Sequence, residues 1–213
     1  MKYILFGLLA LCLMTSPLLA RPTLRGPGGL ITIPTAYLSS GGTVAPQNYD
    51  NKDSDIVTSF NYAWEKTGEL ALQKPSDGET GLSLKYQLSQ DVATKDDATP
   101  ATAIGFLDMA NENSKAFYGV MSTKATEADF VLHMGLISER SMFGKVRFMG
   151  GFETPISKQV LFLGEYDGLK RDINSGFLYH VSQSVGSFVY LMDIKEAGLQ
   201  SEVVSGFTFK MAF

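Results

Sequence analysis

From Gly42 onward the chain is written in alternation: in run after run of about nine to eleven residues, apolar side chains take every second position. Leu82, Leu84, Tyr86 and Leu88 interleave with Gly81, Ser83, Lys85, Gln87 and Ser89. Val146, Phe148, Gly150 and Phe152 do the same against Lys145, Arg147, Met149, Gly151 and Glu153. Side chains of a strand point alternately to opposite faces, so such runs form strands with one apolar and one polar face. No sustained apolar repeat at helical spacing competes with this pattern after Ala20. Clusters such as Lys74-Pro75-Ser76-Asp77-Gly78 and Asp167-Gly168-Leu169-Lys170-Arg171-Asp172 separate the runs, and their residues favour turns. The spacing predicts about twelve strands, with about ten as the alternative. The least regular runs are Gly42 to Tyr49, Glu69 to Gln73 and Ala101 to Met109.

Soluble sandwiches also alternate, so the period alone does not choose a solvent. Three further features point to lipid outside. One face collects Leu, Phe, Tyr and Met while the other collects Gly, Ser, Asn, Lys and Glu. Aromatics fall near run ends, at Tyr62, Trp64, Tyr86, Phe152, Tyr166 and Tyr179, where interfacial girdles need them. The last run carries Phe207, Phe209, Met211 and Phe213 on one face, and it resembles the C-terminal insertion signal that the barrel-assembly machinery recognises. An open sheet edge in hydrocarbon would leave backbone groups unpaired, so strands in lipid must close on themselves. The fold expected for residues 41–213 is therefore all-β, a closed antiparallel transmembrane β-barrel in outer-membrane lipid. Lys85, Lys145, Arg147, Glu153, Glu165 and Lys210 fall on the inward face and are the candidate lumen-lining residues. Inward residues should be tolerant, so Lys85→Ala and Arg147→Ala should leave folding in lipid nearly intact and, at most, change ion preference.

The opposite end of the chain differs. Lys2 precedes an apolar run from Tyr3 to Met14, then Thr15-Ser16-Pro17 and Ala20, in the order of a secretory signal peptide. Residues 1–20 are expected to be cleaved and the rest exported to the outer membrane. Cleavage would remove the single Cys12, so no disulfide is expected despite an oxidising destination. Residues 21–40 are expected to form a plug or a periplasmic lead-in, because Pro34 cannot donate to a central ladder. A net charge of −4 gives no support to nucleic-acid binding.

No constellation for catalysis emerges. His133 and His180 are the only histidines, and neither stands near Cys, Asp or Glu at metal-ligand spacing. Ser138, Ser182 and Ser184 carry no mark of a nucleophile, and there is no Gly-x-Ser-x-Gly elbow or phosphate loop. The expectation is no enzyme, no metal and no cofactor.

Two short stretches carry a family resemblance. Gly28-Gly29-Leu30-Ile31-Thr32-Ile33-Pro34-Thr35-Ala36, followed by Gly41-Gly42-Thr43-Val44-Ala45, resembles the start of the YjbH-type outer-membrane proteins associated with exopolysaccharide production. Glu165-Tyr166-Asp167-Gly168, with Asn174 and Gly176, resembles an acidic-aromatic turn of those barrels. The resemblance implies a structural or export-associated envelope role, with polysaccharide as a partner and no catalytic residues. Read without it, Glu165 is either a binding carboxylate or a hydrated rim charge. The alternative function is a narrow diffusion channel for small solutes.

If the final strand is an insertion signal, deleting Phe213 should reduce the amount of barrel in the outer membrane while leaving refolding in detergent unaffected. Undiminished membrane yield would refute the signal.

Overall fold

The structure is a computed structural model that describes residues 21–47, 55–64, 67–75, 79–90, 92–93, 98–111, 115–125, 130–140, 144–194 and 202–210. The expected signal peptide lies outside the described residues, as do Met211 and Phe213. The strands in chain order are β1 (Arg21–Pro22), β2 (Gly28–Gly29), β3 (Gly41–Gln47), β4 (Asp55–Trp64), β5 (Gly68–Pro75), β6 (Gly81–Ser89), β7 (Val92–Ala93) and β8 (Ala98–Thr99). They continue as β9 (Ala101–Leu107), β10 (Ala116–Lys124), β11 (Val131–Glu139), β12 (Val146–Pro155), β13 (Val160–Asp167), β14 (Asp172–His180), β15 (Val185–Met192) and β16 (Glu202–Lys210).

Twelve of them, β3 to β6 and β9 to β16, close into one antiparallel barrel in which every strand pairs with its neighbours in sequence. The three least regular runs are strands of it, as β3, β5 and β9. The seam joins the last strand to the first: Phe207 faces Val44, Thr208 faces Thr43, Phe209 faces Gly42 and Lys210 faces Gly41. β3 therefore starts, and β16 finishes, at one end of the barrel, called here the terminal end. The ribbon of β7 and β8, within the long connection from β6 to β9, stands at that end too.

The barrel is apolar outside and polar within. On β14, Ile173, Phe177 and Tyr179 are 54%, 50% and 44% exposed, whereas Asn174, Gly176 and Leu178 are buried. β15 exposes Val185, Val189 and Leu191 and buries Phe188, Tyr190 and Met192; β16 exposes Val203, Phe207 and Phe209. Glu69, Lys85, His133, Glu153, Glu165 and Asn174 are buried. A water-soluble fold does not wrap itself in a continuous apolar belt while enclosing its charges, since large exposed apolar patches are rare. A hydrocarbon surrounding reverses that preference, and alternating apolar-out, polar-in strands are its signature. A row of rings, Phe130, Phe152, Phe162 and Phe177, with neighbouring centroids 5.6, 5.7 and 5.2 Å apart, crosses the outer wall towards the terminal end.

The interior is filled. Residues 21–40 run inside, with Leu24, Leu30, Ile31, Ile33 and Ala36 packed against Tyr118, Ile137, Met149, Leu163 and Leu178 from the wall. Close approach at two positions needs glycine. A Cβ on Gly29 would stand 2.1 Å from the Ile33 carbonyl oxygen, and one on Gly151 of β12 would stand 2.4 Å from a Leu30 methyl.

Phe177→Arg and Val189→Arg, in the middle of outward faces, should each destabilise the barrel in lipid by about 2–4 kcal/mol. Urea titration in vesicles measures this, and a loss below about 0.5 kcal/mol, typical of a neutral surface change, would contradict the lipid-facing assignment.

Candidate functional site

A chain without regular structure inside a barrel carries N–H and C=O groups that no ladder satisfies, and each one left alone in a dry interior is costly. Residues 21–40 make few regular pairings. β1 and β2 form a two-residue ribbon, and Gly29 bridges Pro34. Thr23, Leu24, Gly26, Leu30 and Thr35 donate N–H bonds to carbonyls within the segment at 2.8–3.1 Å. Side chains from the wall supply further partners, chiefly in three groups.

The first centres on Glu165 of β13. Its oxygens accept the backbone N–H of Ile31 at 2.9 Å, of Thr32 at 2.9 and 3.1 Å, and of Ile33 at 3.3 Å. The Thr32 hydroxyl donates to it at 2.6 Å, and the Asn174 amide at 2.8 Å. Three successive N–H groups converging on one carboxylate make a nest, the concave arrangement that backbone donors use to hold an anion. Asp167, at the end of the same strand, accepts from the Thr32 hydroxyl at 3.1 Å and pairs with Arg25 at 2.7 Å. The two stretches that carry the family resemblance are thus hydrogen-bonded to each other across the interior.

The second group pairs Glu69 of β5 with Lys85 of β6, 3.1 Å apart and both buried. Glu69 also accepts from Gly28 N–H, from Ser39 N–H at 2.7 Å and from the Asn61 amide at 3.2 Å. The Lys85 ammonium donates to the carbonyls of Gly28, Thr35 and Tyr37 at 2.8, 3.3 and 2.6 Å. One cation thereby fastens three points of the inner chain. Gln87 adds a bond to the Ala36 carbonyl at 2.9 Å, and Gln73 one to the Leu24 carbonyl at 2.6 Å.

The third group is a line of Ser122, His133 and Glu153 on β10, β11 and β12. The Ser122 hydroxyl lies 2.8 Å from His133 Nδ1, and His133 Nε2 lies 3.6 Å from Glu153. Glu153 in turn stands 3.5 Å from Arg21. Serine, histidine and carboxylate in this order invite comparison with a nucleophile relay. However, Ser122 is fully buried and its oxygen accepts Ala36 N–H at 2.9 Å, which makes the hydroxyl a fastening for the inner chain. Among the described residues no group of His, Cys, Asp and Glu could hold a metal ion.

The six inward charges read from the sequence fall into different places. Lys85, Glu153 and Glu165 are buried against residues 21–40. Lys210 is half-buried at the terminal end. Arg147 sits at the opposite rim, 2.8 Å from Glu139 and within 3.4 Å of the Gly168 and Leu169 carbonyls. Lys145 is exposed at that same rim, one residue before β12, where its carbonyl accepts the Glu139 N–H at 3.3 Å. Glu165 is not a hydrated rim charge, because the inner chain supplies its donors in place of water. Nor is Lys85 a solvated residue that truncation would spare. Alternation alone does not single out Glu69, Asp167, Ser122 or Arg25 as site residues. The parity of Leu70 and Leu72 places Glu69 inward, but its run is among the least regular, and Asp167 reads as a turn residue.

No family model matches this chain, and no curated protein matches it. Among solved structures it is similar to a NanC porin determined in a rhombohedral crystal form, with a TM-score of 0.55 and 12% sequence identity over 81% of this chain and 100% of that one. At that identity the likeness concerns the closed β-barrel fold.

Lys85→Met would leave the Glu69 carboxylate buried without its cation, a change expected to cost about 3–5 kcal/mol. Adding Glu69→Gln should return part of the loss. Urea midpoints for the two variants in detergent check this, and a single variant as stable as the parent would show that the pair fastens nothing.

Proposed function

We propose that this chain is an outer-membrane β-barrel held closed by its own residues 21–40, with a structural or export-associated envelope role. The resemblance to YjbH-type barrels supports an association with exopolysaccharide production or secretion. On this reading the barrel-assembly machinery inserts it, outer-membrane lipid surrounds it, and a polysaccharide or small solute is its cargo or partner.

The observation that carries the closed state is the Glu165 nest together with the Glu69–Lys85 pair. A lumen built for free diffusion has its charges hydrated, whereas here carboxylates and an ammonium are spent on the backbone of an inner segment. A narrow diffusion channel is the second reading, favoured by the likeness of the fold to a porin. Around twelve strands enclose a lumen between the filled small barrels and the open porins. The two readings differ in whether the inner segment leaves.

Single-channel recording in planar bilayers separates them. The refolded chain should be silent, and a chain shortened by residues 21–39, or carrying Glu165→Ala with Glu69→Ala, should conduct. Steady current from the unaltered chain would establish the diffusion channel instead.

A further inference from the structure

A recess at the terminal end lies beside the third fastening group and shares Arg21 with it. It is bounded by the ends of β14 and β16, the turn from Ser182 to Ser184 and the start of β15, and encloses about 290 Å³ counting its open mouth. Arg21, His180 and Lys210 line it together, and no carboxylate is among its described lining residues. Arg21 is 3% exposed, yet its Nε and Nη2 make no hydrogen bond to the described residues. Its Nη1 reaches Glu153 only at 3.5 Å, and that carboxylate is shared with His133.

This is an excess of donors and of positive charge. A buried guanidinium with one edge unpaired carries the desolvation cost of those N–H groups. The free edge, Nε with Nη2, is a planar fork that matches two oxygens of a single oxyanion. Lys210 adds a second, point-like cation, and His180 a third when protonated. With Glu153 counted against Arg21, the set still keeps an unbalanced cation that an anion would neutralise. The recess is too small for a folded partner.

We propose that this recess is a binding site for a phosphate group, gripped by the free edge of Arg21 and by Lys210, with His180 at its mouth. The group arrives either as a free phosphate or phosphate monoester from the solution at the terminal end, or as the headgroup of a phospholipid. Occupation would neutralise the repulsion among the three side chains and complete the hydrogen bonding of Arg21. The site rests on the closed reading, because Arg21 belongs to the inner segment; steady current from the unaltered chain reports the failure of that reading, and the titration reports the failure of the site.

The test is calorimetric titration of inorganic phosphate into the refolded chain in a zwitterionic, phosphate-free detergent, with ionic strength held constant by chloride. Saturable binding is expected, weakened on the order of ten-fold by Lys210→Gln, the loss of one hydrogen bond to a charged group. Arg21→Gln should abolish it. Lys210 is the decisive position, because it is half-exposed at a barrel end and its replacement leaves the Arg21–Glu153 contact in place. A parallel titration with short-chain phosphatidylglycerol identifies the source. Binding of that lipid but not of inorganic phosphate, again lost in Lys210→Gln, supports the site with a headgroup as its ligand. No saturable binding of either, or binding equal in the parent and both variants, overturns the proposal.

Discussion

Everything inside this barrel answers to one requirement: an irregular stretch of backbone, enclosed where water is scarce, must find a partner for its N–H and C=O groups. The wall strands satisfy themselves through their ladders. The inner segment from Arg21 to Ser40 satisfies only part of its backbone within itself and takes further partners from side chains, which explains why the interior holds residues that a dry core avoids. Glu165 takes three N–H groups, Lys85 gives to three carbonyls, and Ser122, Gln73 and Gln87 each serve one. Removing any of these would strand a backbone group, and removing Lys85 would strand a charge as well.

This also orders the energetics. A buried ion pair is by itself a weak source of stability, since desolvation of both partners offsets their attraction. Glu69 and Lys85 differ from such an isolated pair because their remaining hydrogen-bonding capacity is occupied by Gly28, Thr35, Tyr37 and Ser39. The apolar contacts of Leu30, Ile31 and Ile33 with Met149, Leu163 and Leu178 then supply burial in the gaps between the polar fastenings. Interior hydrophobic contacts and interior charges alternate around the same segment.

The outer face was legible in the sequence and the inner face only in part, for a physical reason. Lipid imposes the same demand on every outward residue, so Phe148, Phe177 and Leu84 announce themselves by period alone. The inward demand is set by whichever group lies opposite. Nothing in the spacing of Ile31 and Glu165, 134 residues apart, says that one donates to the other. Parity brought Lys85, Glu153 and Glu165 to the right face; it could not say that the partners of Lys85 and Glu165 would be backbone atoms of residues 28–37 and not water. Lys145 and Arg147 show a further limit: parity does not say how far along the barrel a residue lies, and both stand at the rim.

The seam between β3 and β16 has a topological consequence. Among the described residues it is zipped by four residue pairs, against nine between β10 and β11. β3 also begins at Gly41, where the inner segment stops. The strand that shuts the cylinder is therefore the direct continuation of the chain that fills it. Once the seam forms, Ser40 and Gly41 tie the contents to the wall by a covalent bond at the very strand that closed over them. The inner segment is a tethered occupant: it can swing about that point, but it cannot diffuse away, and its local concentration at its own berth stays high however weak any single contact is.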